Sequence, residues 1–148
     1  MQTFLPYASF TESARVLDYR RLGKQRIECK QILAALGYAI ADGELCLLAD
    51  TSPKGWVNHP ATKMWRGYEA ALAEYATLMI LEWKARGYKN TMEMLDLNNS
   101  RLFMDPPWLG DEAFHASHRS NLLRKDPLHY GKFGWTEEDD LEYVWPVS

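Results

Sequence analysis

A chain of 148 residues that is 47% hydrophobic, with six Trp, eight Tyr and five Phe, carries enough apolar side-chain surface for one domain with a sizeable aromatic core. Its net charge of -3 excludes a protein that coats nucleic acid through a bulk cationic excess, although the acidic run at 136–142 (Glu137, Glu138, Asp139, Asp140, Glu142) leaves the remainder slightly basic. Cys29 and Cys46 make neither a disulfide framework nor a metal-ligand cluster, no apolar run reaches the ~18 residues of a membrane helix, and MQTFLPYASF has neither region of a leader, so a cytoplasmic location is expected.

After a short apolar lead-in ending at Pro6, residues 9–36 are predicted to form one long helix. Ser9-x-x-Glu12 is a capping box, and Val16, Leu17, Leu22, Ile27, Ile32, Leu33 and Leu36 recur at helical intervals. This helix also carries Arg15, Arg20, Arg21, Lys24, Arg26 and Lys30, opposed only by Asp18 and Glu28. The spacing of Leu17, Arg21, Lys24 and Glu28 puts them on one face, so an apolar stripe turns into a charged one. Gly23 costs about 1 kcal/mol relative to Ala inside a helix, which calls for the close approach of another backbone or a ligand. A solvated basic face is one reading of the charges, and a site for an anionic partner such as a phosphate backbone is the other.

Residues 37–56 read as a connection holding a small helix or turn and no evident chemistry. Pro60 at a first helical position, Asn58 as its cap and Gly87 beyond the end predict a helix over 60–86, with Ala61, Trp65, Tyr68, Leu72, Tyr75 and Met79 as its core seam. Free N–H groups at a helix start attract anions, so Asn58, His59, Lys63 and Arg66 are candidate phosphate contacts. A short helix is expected at 89–97, then an ordered loop at 98–109 whose Trp108, beside Pro106 and Pro107, reads as a core plug rather than a stacking platform. A further helix follows Asp111, with Phe114, Ser117, Asn121 and Leu122 on one side and His115, His118, Arg119 and Arg124 among the rest. His115 and His118 are three apart, but with no carboxylate or cysteine as a third ligand they define no metal site. Asp126-Pro127 ends that helix. Tyr130, Phe133, Trp135, Tyr143 and Trp145 interleave with His129 and Lys132, which suits stacking on exposed bases or wrapping a tail onto the core; the tail reading is favoured for Tyr143 to Trp145, and Tyr130 to Trp135 stay open.

Four stretches, YRRLGKQR, NHPATKMW, LAEYATLMILEWKARGY and SHRSNLLRKDPLHYGKFG, resemble in order and spacing the small phage and viral pyrimidine-dimer DNA glycosylases that also act as abasic-site lyases. The opening words are also similar to those of a group of bacterial and phage proteins of about this length. The resemblance implies a mostly helical, cofactor-free domain whose N-terminus threads close to a basic DNA-binding groove. It further implies attack of the N-terminal α-amine on the sugar C1′, an imine intermediate, assistance from a glutamate on the first helix, and β-elimination. On this basis Met1 carries the nucleophile, Arg21 stands at the position of the family's glutamate, and Glu28, seven residues on and on the same face, is its substitute.

The sequence therefore predicts an all-α, single-domain protein over 1–148 that acts on damaged or modified pyrimidines in DNA without cofactor or metal. Met1, Glu28 and Arg21 are its candidate catalytic residues. Arg20, Arg21, Lys24, Asn58, His59, Lys63, Arg66, His118, Arg119 and Tyr130 are candidate contacts to DNA and its phosphates. Two other functions fit the same residues: a non-catalytic binder of nucleic acid or nucleotide using the same groove, and an enzyme acting on a free modified nucleotide in a pocket lined by Asn58, His59, His118 and Asn121. A helical domain with a charged surface and no ligand is the plainest alternative.

Overall fold

Asp18 divides what the apolar spacing joins. In the computed structural model, which describes residues 2–49, 55–99 and 104–147, the predicted first helix is two: α1 (Phe10–Val16) and α2 (Tyr19–Ala35). Leu17 and Asp18 are extended, and the Asp18 carboxylate accepts the N–H of Arg21 as a second N-cap. The predicted capping box at the start of α1 is half formed, with Ser9 Oγ accepting the Glu12 N–H. At its other end, Arg86 donates to the carbonyls of Ala14 and Arg15, satisfying groups that the short helix leaves free.

A hairpin follows where a small helix or turn was expected. Strands β1 (Tyr38–Ala41) and β2 (Glu44–Leu47) pair antiparallel with Ala41 opposite Glu44. Their two-residue turn, Asp42-Gly43, has φ of 53° and 82°, the left-handed pair that a tight hairpin turn demands and that Asp-Gly supplies. The predicted helix at 60–86 is also interrupted. Helix α3 (Pro60–Lys63) is a single turn, Gly67 takes φ +88°, and α4 (Glu69–Ala85) starts afresh. Its cap is His59, whose Nδ1 accepts the Ala61 N–H, and not Asn58. Residues 89–96 form no helix, only a single 3₁₀ turn at Leu97–Asn99 follows, and the predicted loop at 98–109 lies partly outside the described residues. Helix α5 (Glu112–Lys125) starts at its Asp111 cap as expected, and α6 (Pro127–Tyr130) adds one turn beyond it. The fold is mostly helical, and among the described residues no helix is long and apolar enough to cross a membrane.

The core joins α2, α4 and α5. Trp65, Leu72, Tyr75 and Met79 of the predicted seam are fully buried with Leu22, Ile32, Leu33 and Phe114. Trp108 is indeed a plug, 7% exposed, its indole N–H donating to the Met64 carbonyl. Helix α5 is buried nearly all round, and polar side chains serve its outer side: Ser117, Ser120 and Asn121 bond to the backbone of Glu138, Leu141 and Val144, strapping the acidic tail along it. The close approach that Gly23 implies is real. A Cβ there would lie 2.9 Å from the Trp83 ring, which is itself fixed between Tyr88, stacked at 4.2 Å, and the Arg26 guanidinium at 4.3 Å.

The most unusual feature is the lead-in. Residues 2–6 are buried, yet no strand pairs with them, so side chains satisfy their backbone. Gln25 accepts the Phe4 N–H and donates to the Gln2 carbonyl; Tyr75 donates to the Phe4 carbonyl; His118 Nδ1 accepts the Leu5 N–H while His115 Nδ1 donates to the Leu5 carbonyl; Arg119 donates to the Pro6 carbonyl. His115 takes the Gly110 N–H on its other nitrogen, so both histidines must be neutral to fill these roles.

Two outcomes follow from this packing. Gly23→Ala should destabilise the protein by about 1 kcal/mol in urea unfolding, because an overpacking cost of about 1–3 kcal/mol exceeds the ~1 kcal/mol gained in helix propensity. Burial and the neighbouring His115 push the His118 pKa down from 6.5 to about 3. The folded state thus binds fewer protons than the unfolded chain, so His118 contributes fully above pH 6.5 and its contribution is lost as pH falls towards 3. Lowering pH from 7 to 5 should cost about 2 kcal/mol from this residue, and His118→Gln should remove that part of the slope.

Candidate functional site

The N-cap at Asp18 turns the first residues of α2 towards the beginning of α6, and a groove of about 980 Å³ opens between them. Arg20, Arg21, Lys24, Gln25 and Glu28 of α2 line one side; Lys125, Asp126 and His129 line the other, with Gln2, Phe4 and Tyr143 contributing between them. Arg21, Lys24 and Glu28 do share the predicted face, whereas Leu17 lies outside the helix in the core.

Positive charge dominates this groove. Arg21 is held by Asp18 at 3.0 Å, but Arg20, Lys24 and Lys125 make no ion pair among the described residues. Burial pushes the Lys125 ammonium pKa down, and the nearby charges of Arg21, Arg124 and Lys24 add to the effect. Burial opposes ionisation of Asp18, but the Tyr130 hydroxyl and the Arg21 guanidinium outweigh it and hold the carboxyl below its usual range. Tyr130 is fully buried, donating to the Asp18 carboxylate and accepting the Asp18 N–H at 3.1 Å, with its ring stacked on Trp135. It positions the α2 cap and exposes no ring to a base.

Glu28 is half-buried in the groove lining. Its Oε2 accepts from the Gln2 N–H at 3.3 Å and from Gln25 Nε2 at 3.2 Å. The chain's second residue and the predicted acid are therefore in contact across 26 positions of sequence. Met1 lies outside the described residues.

The other predicted contacts divide. Asn58, Lys63 and Arg66 are exposed but do not line the groove, and α3 is too short to present an anion-attracting helix start. His59 is half-buried between Trp56 and Trp145; burial lowers its pKa, and Glu28 is near enough for its charge to act in the opposite sense. His118 and Arg119 belong to the core and not to the groove. His118 sits among Phe4, Phe114 and Tyr143, and Arg119 is 8% exposed, paired with Glu112 and, at 3.0 Å, with Glu137. The sequence reading missed Gln25 and Lys125, and it named His129 only as part of an aromatic stretch left open between base stacking and the core. Gln25 falls one residue after Lys24 and three before Glu28, so its spacing from the predicted acid was a usable signal; nothing local joins Lys125 or His129 to α2.

Residues 1–96 match the family model described as pyrimidine dimer DNA glycosylase. Comparison with curated proteins finds no match, and comparison with solved structures finds none. The match takes in α2, Gln2 and Glu28, whereas the opposite wall of the groove, from Lys125 to Tyr143, lies beyond it.

The cations without an ion pair suit the groove to a polyanion, which is open to test. Lys24→Ala and Lys125→Ala should each weaken heparin binding and reduce the slope of log K against log salt concentration by about 1, while Lys63→Ala should leave the slope close to wild type.

Proposed function

This chain belongs to the pyrimidine dimer DNA glycosylase family, and on that footing we propose that it excises damaged or modified pyrimidines from DNA through an imine formed by its N-terminal amine. The contact between the Gln2 N–H and Glu28 Oε2, inside a groove lined with unpaired cations, is the observation that carries this reading. Covalent bond lengths alone tether the α-amine of Met1 within about 4 Å of the Gln2 nitrogen. Such an amine has an ordinary pKa of about 7.7–8.0, so a useful fraction is unprotonated at neutral pH.

In the proposed reaction the amine lone pair bonds to C1′ as the glycosidic bond breaks, and the departing base takes up a proton. As the C1′–O4′ bond breaks, O4′ takes up a proton while the amine gives up its own, which leaves an imine between the chain and C1′, and removal of a C2′ proton then expels the 3′ phosphate. Glu28 is the group suited to moving these protons, since it accepts the N–H of Gln2, the residue next to the one that bears the amine. Arg20, Lys24 and Lys125 hold the phosphates of the damaged strand, and Arg21 acts with Asp18 to fix the start of α2. His59 and the exposed Asn58, Lys63 and Arg66 lie outside the groove, where they suit a flanking stretch of backbone.

Borohydride trapping tests this directly. Incubation with a duplex containing an abasic site should give a covalent adduct that disappears when the N-terminal amine is blocked. Glu28→Gln should slow its formation by about 100-fold or more while leaving duplex affinity within a few-fold of wild type. Salt-dependent binding without any adduct, on abasic, thymine-dimer and modified-pyrimidine duplexes alike, would overturn the covalent mechanism and leave a binder that uses the same groove.

A further inference from the structure

Between the groove and the core stands one side chain that touches both halves of the proposed chemistry. Gln25 is 1% exposed. Its Oε1 accepts the Phe4 N–H at 2.9 Å and lies 2.7 Å from the Tyr75 hydroxyl; its Nε2 donates to the Gln2 carbonyl at 2.8 Å and to Glu28 Oε2 at 3.2 Å. The orientation of this amide is forced. The Phe4 N–H can only donate and the Gln2 carbonyl can only accept, so a flipped amide would set donor against donor and acceptor against acceptor.

We propose that Gln25 is a positioning residue for base excision, its amide holding Gln2, the residue next to the N-terminal amine, and the Glu28 carboxylate in one fixed relation. This rests on the imine mechanism proposed above and adds to it. The two Nε2 hydrogens are the essential part, because they reach the Gln2 carbonyl and Glu28 at once and no other described side chain bonds to both. The Oε1 contacts, by contrast, tie the same segment to the core through Phe4 and Tyr75. An amine whose neighbouring residue, Gln2, is free to shift by an ångström would meet C1′ in an unproductive geometry, a displacement that costs about 100-fold in rate.

Gln25→Glu separates positioning from simple support. It keeps the Oε1 acceptor, and when ionised it loses both donors and sets a second carboxylate against Glu28. When protonated it is close to glutamine in shape and regains one donor. Tyr75→Phe is the comparison, since it removes a hydroxyl that supports the segment but touches neither Glu28 nor Gln2. Single-turnover adduct formation on an abasic duplex, corrected for folded fraction, should fall about 100-fold in Gln25→Glu at pH 8, with duplex affinity within about threefold. Its rate relative to wild type should recover as pH is lowered to 6, whereas Tyr75→Phe should lower Tm and keep its rate within about tenfold of wild type at every pH. A Gln25→Glu rate equal to wild type at all pH values, or losses in the two variants that merely track their Tm, would overturn the positioning role while leaving the imine mechanism intact. Absence of an adduct in the wild-type protein would remove that mechanism and this role with it.

Discussion

Everything near the groove depends on how five buried residues at the start of the chain are paid for in hydrogen bonds. A segment without strand partners would ordinarily stay at the surface, where water satisfies its backbone. Here α2 supplies Gln25 and Glu28, α4 supplies Tyr75, and α5 supplies His115, His118 and Arg119. The segment is thus fixed only when three helices distant in sequence have already met. An active centre built on it would be absent from any partly folded form, and its integrity is tied to the neutrality of two histidines.

This arrangement also explains the polarity of α5. A helix surrounded by protein on nearly every side should be apolar, yet this one buries His115, Ser117, His118, Arg119, Ser120 and Asn121. Each has a partner among backbones that make no regular structure: the lead-in on one side and the acidic tail on the other. Arg119 links the two directly, donating to Pro6 and pairing with Glu137. Helix α5 is in effect a polar spine between two irregular strands, and its side chains replace the ladder that a sheet would have provided.

Charge is sorted by the same packing. The net charge is -3, but Glu137 is taken up by Arg119 and the neighbouring acidic residues are carried along the outer side of α5. Lys24 of α2 and Lys125 at the end of α5 line the same groove and make no ion pair among the described residues. Whole-chain charge therefore understates the local field, which matters most within the ~10 Å over which surface charges act at ordinary ionic strength.

The sequence by itself determined the helical character, the core seam of Trp65, Leu72, Tyr75 and Met79, the plug at Trp108, the close contact at Gly23 and the shared face of Arg21, Lys24 and Glu28, because each follows from periodicity or from one residue's local cost. It also carried the family, through three stretches from α2 to α4 inside the matched residues and a fourth, SHRSNLLRKDPLHYGKFG, beyond them. The breaks at Asp18 and Gly67 had local signals that helical spacing on either side outweighed, and the Asp-Gly turn lay in a stretch read only as a connection with a small helix or turn. Only tertiary structure decided that His118 and Arg119 serve the core and not the groove, that Tyr130 supports Asp18, that Lys125 lines the same groove as Lys24, and that Gln2 meets Glu28. Those facts depend on which segments are brought together by burial, and a histidine or arginine reads the same in sequence whether its partner is a phosphate or the carbonyl of a distant residue.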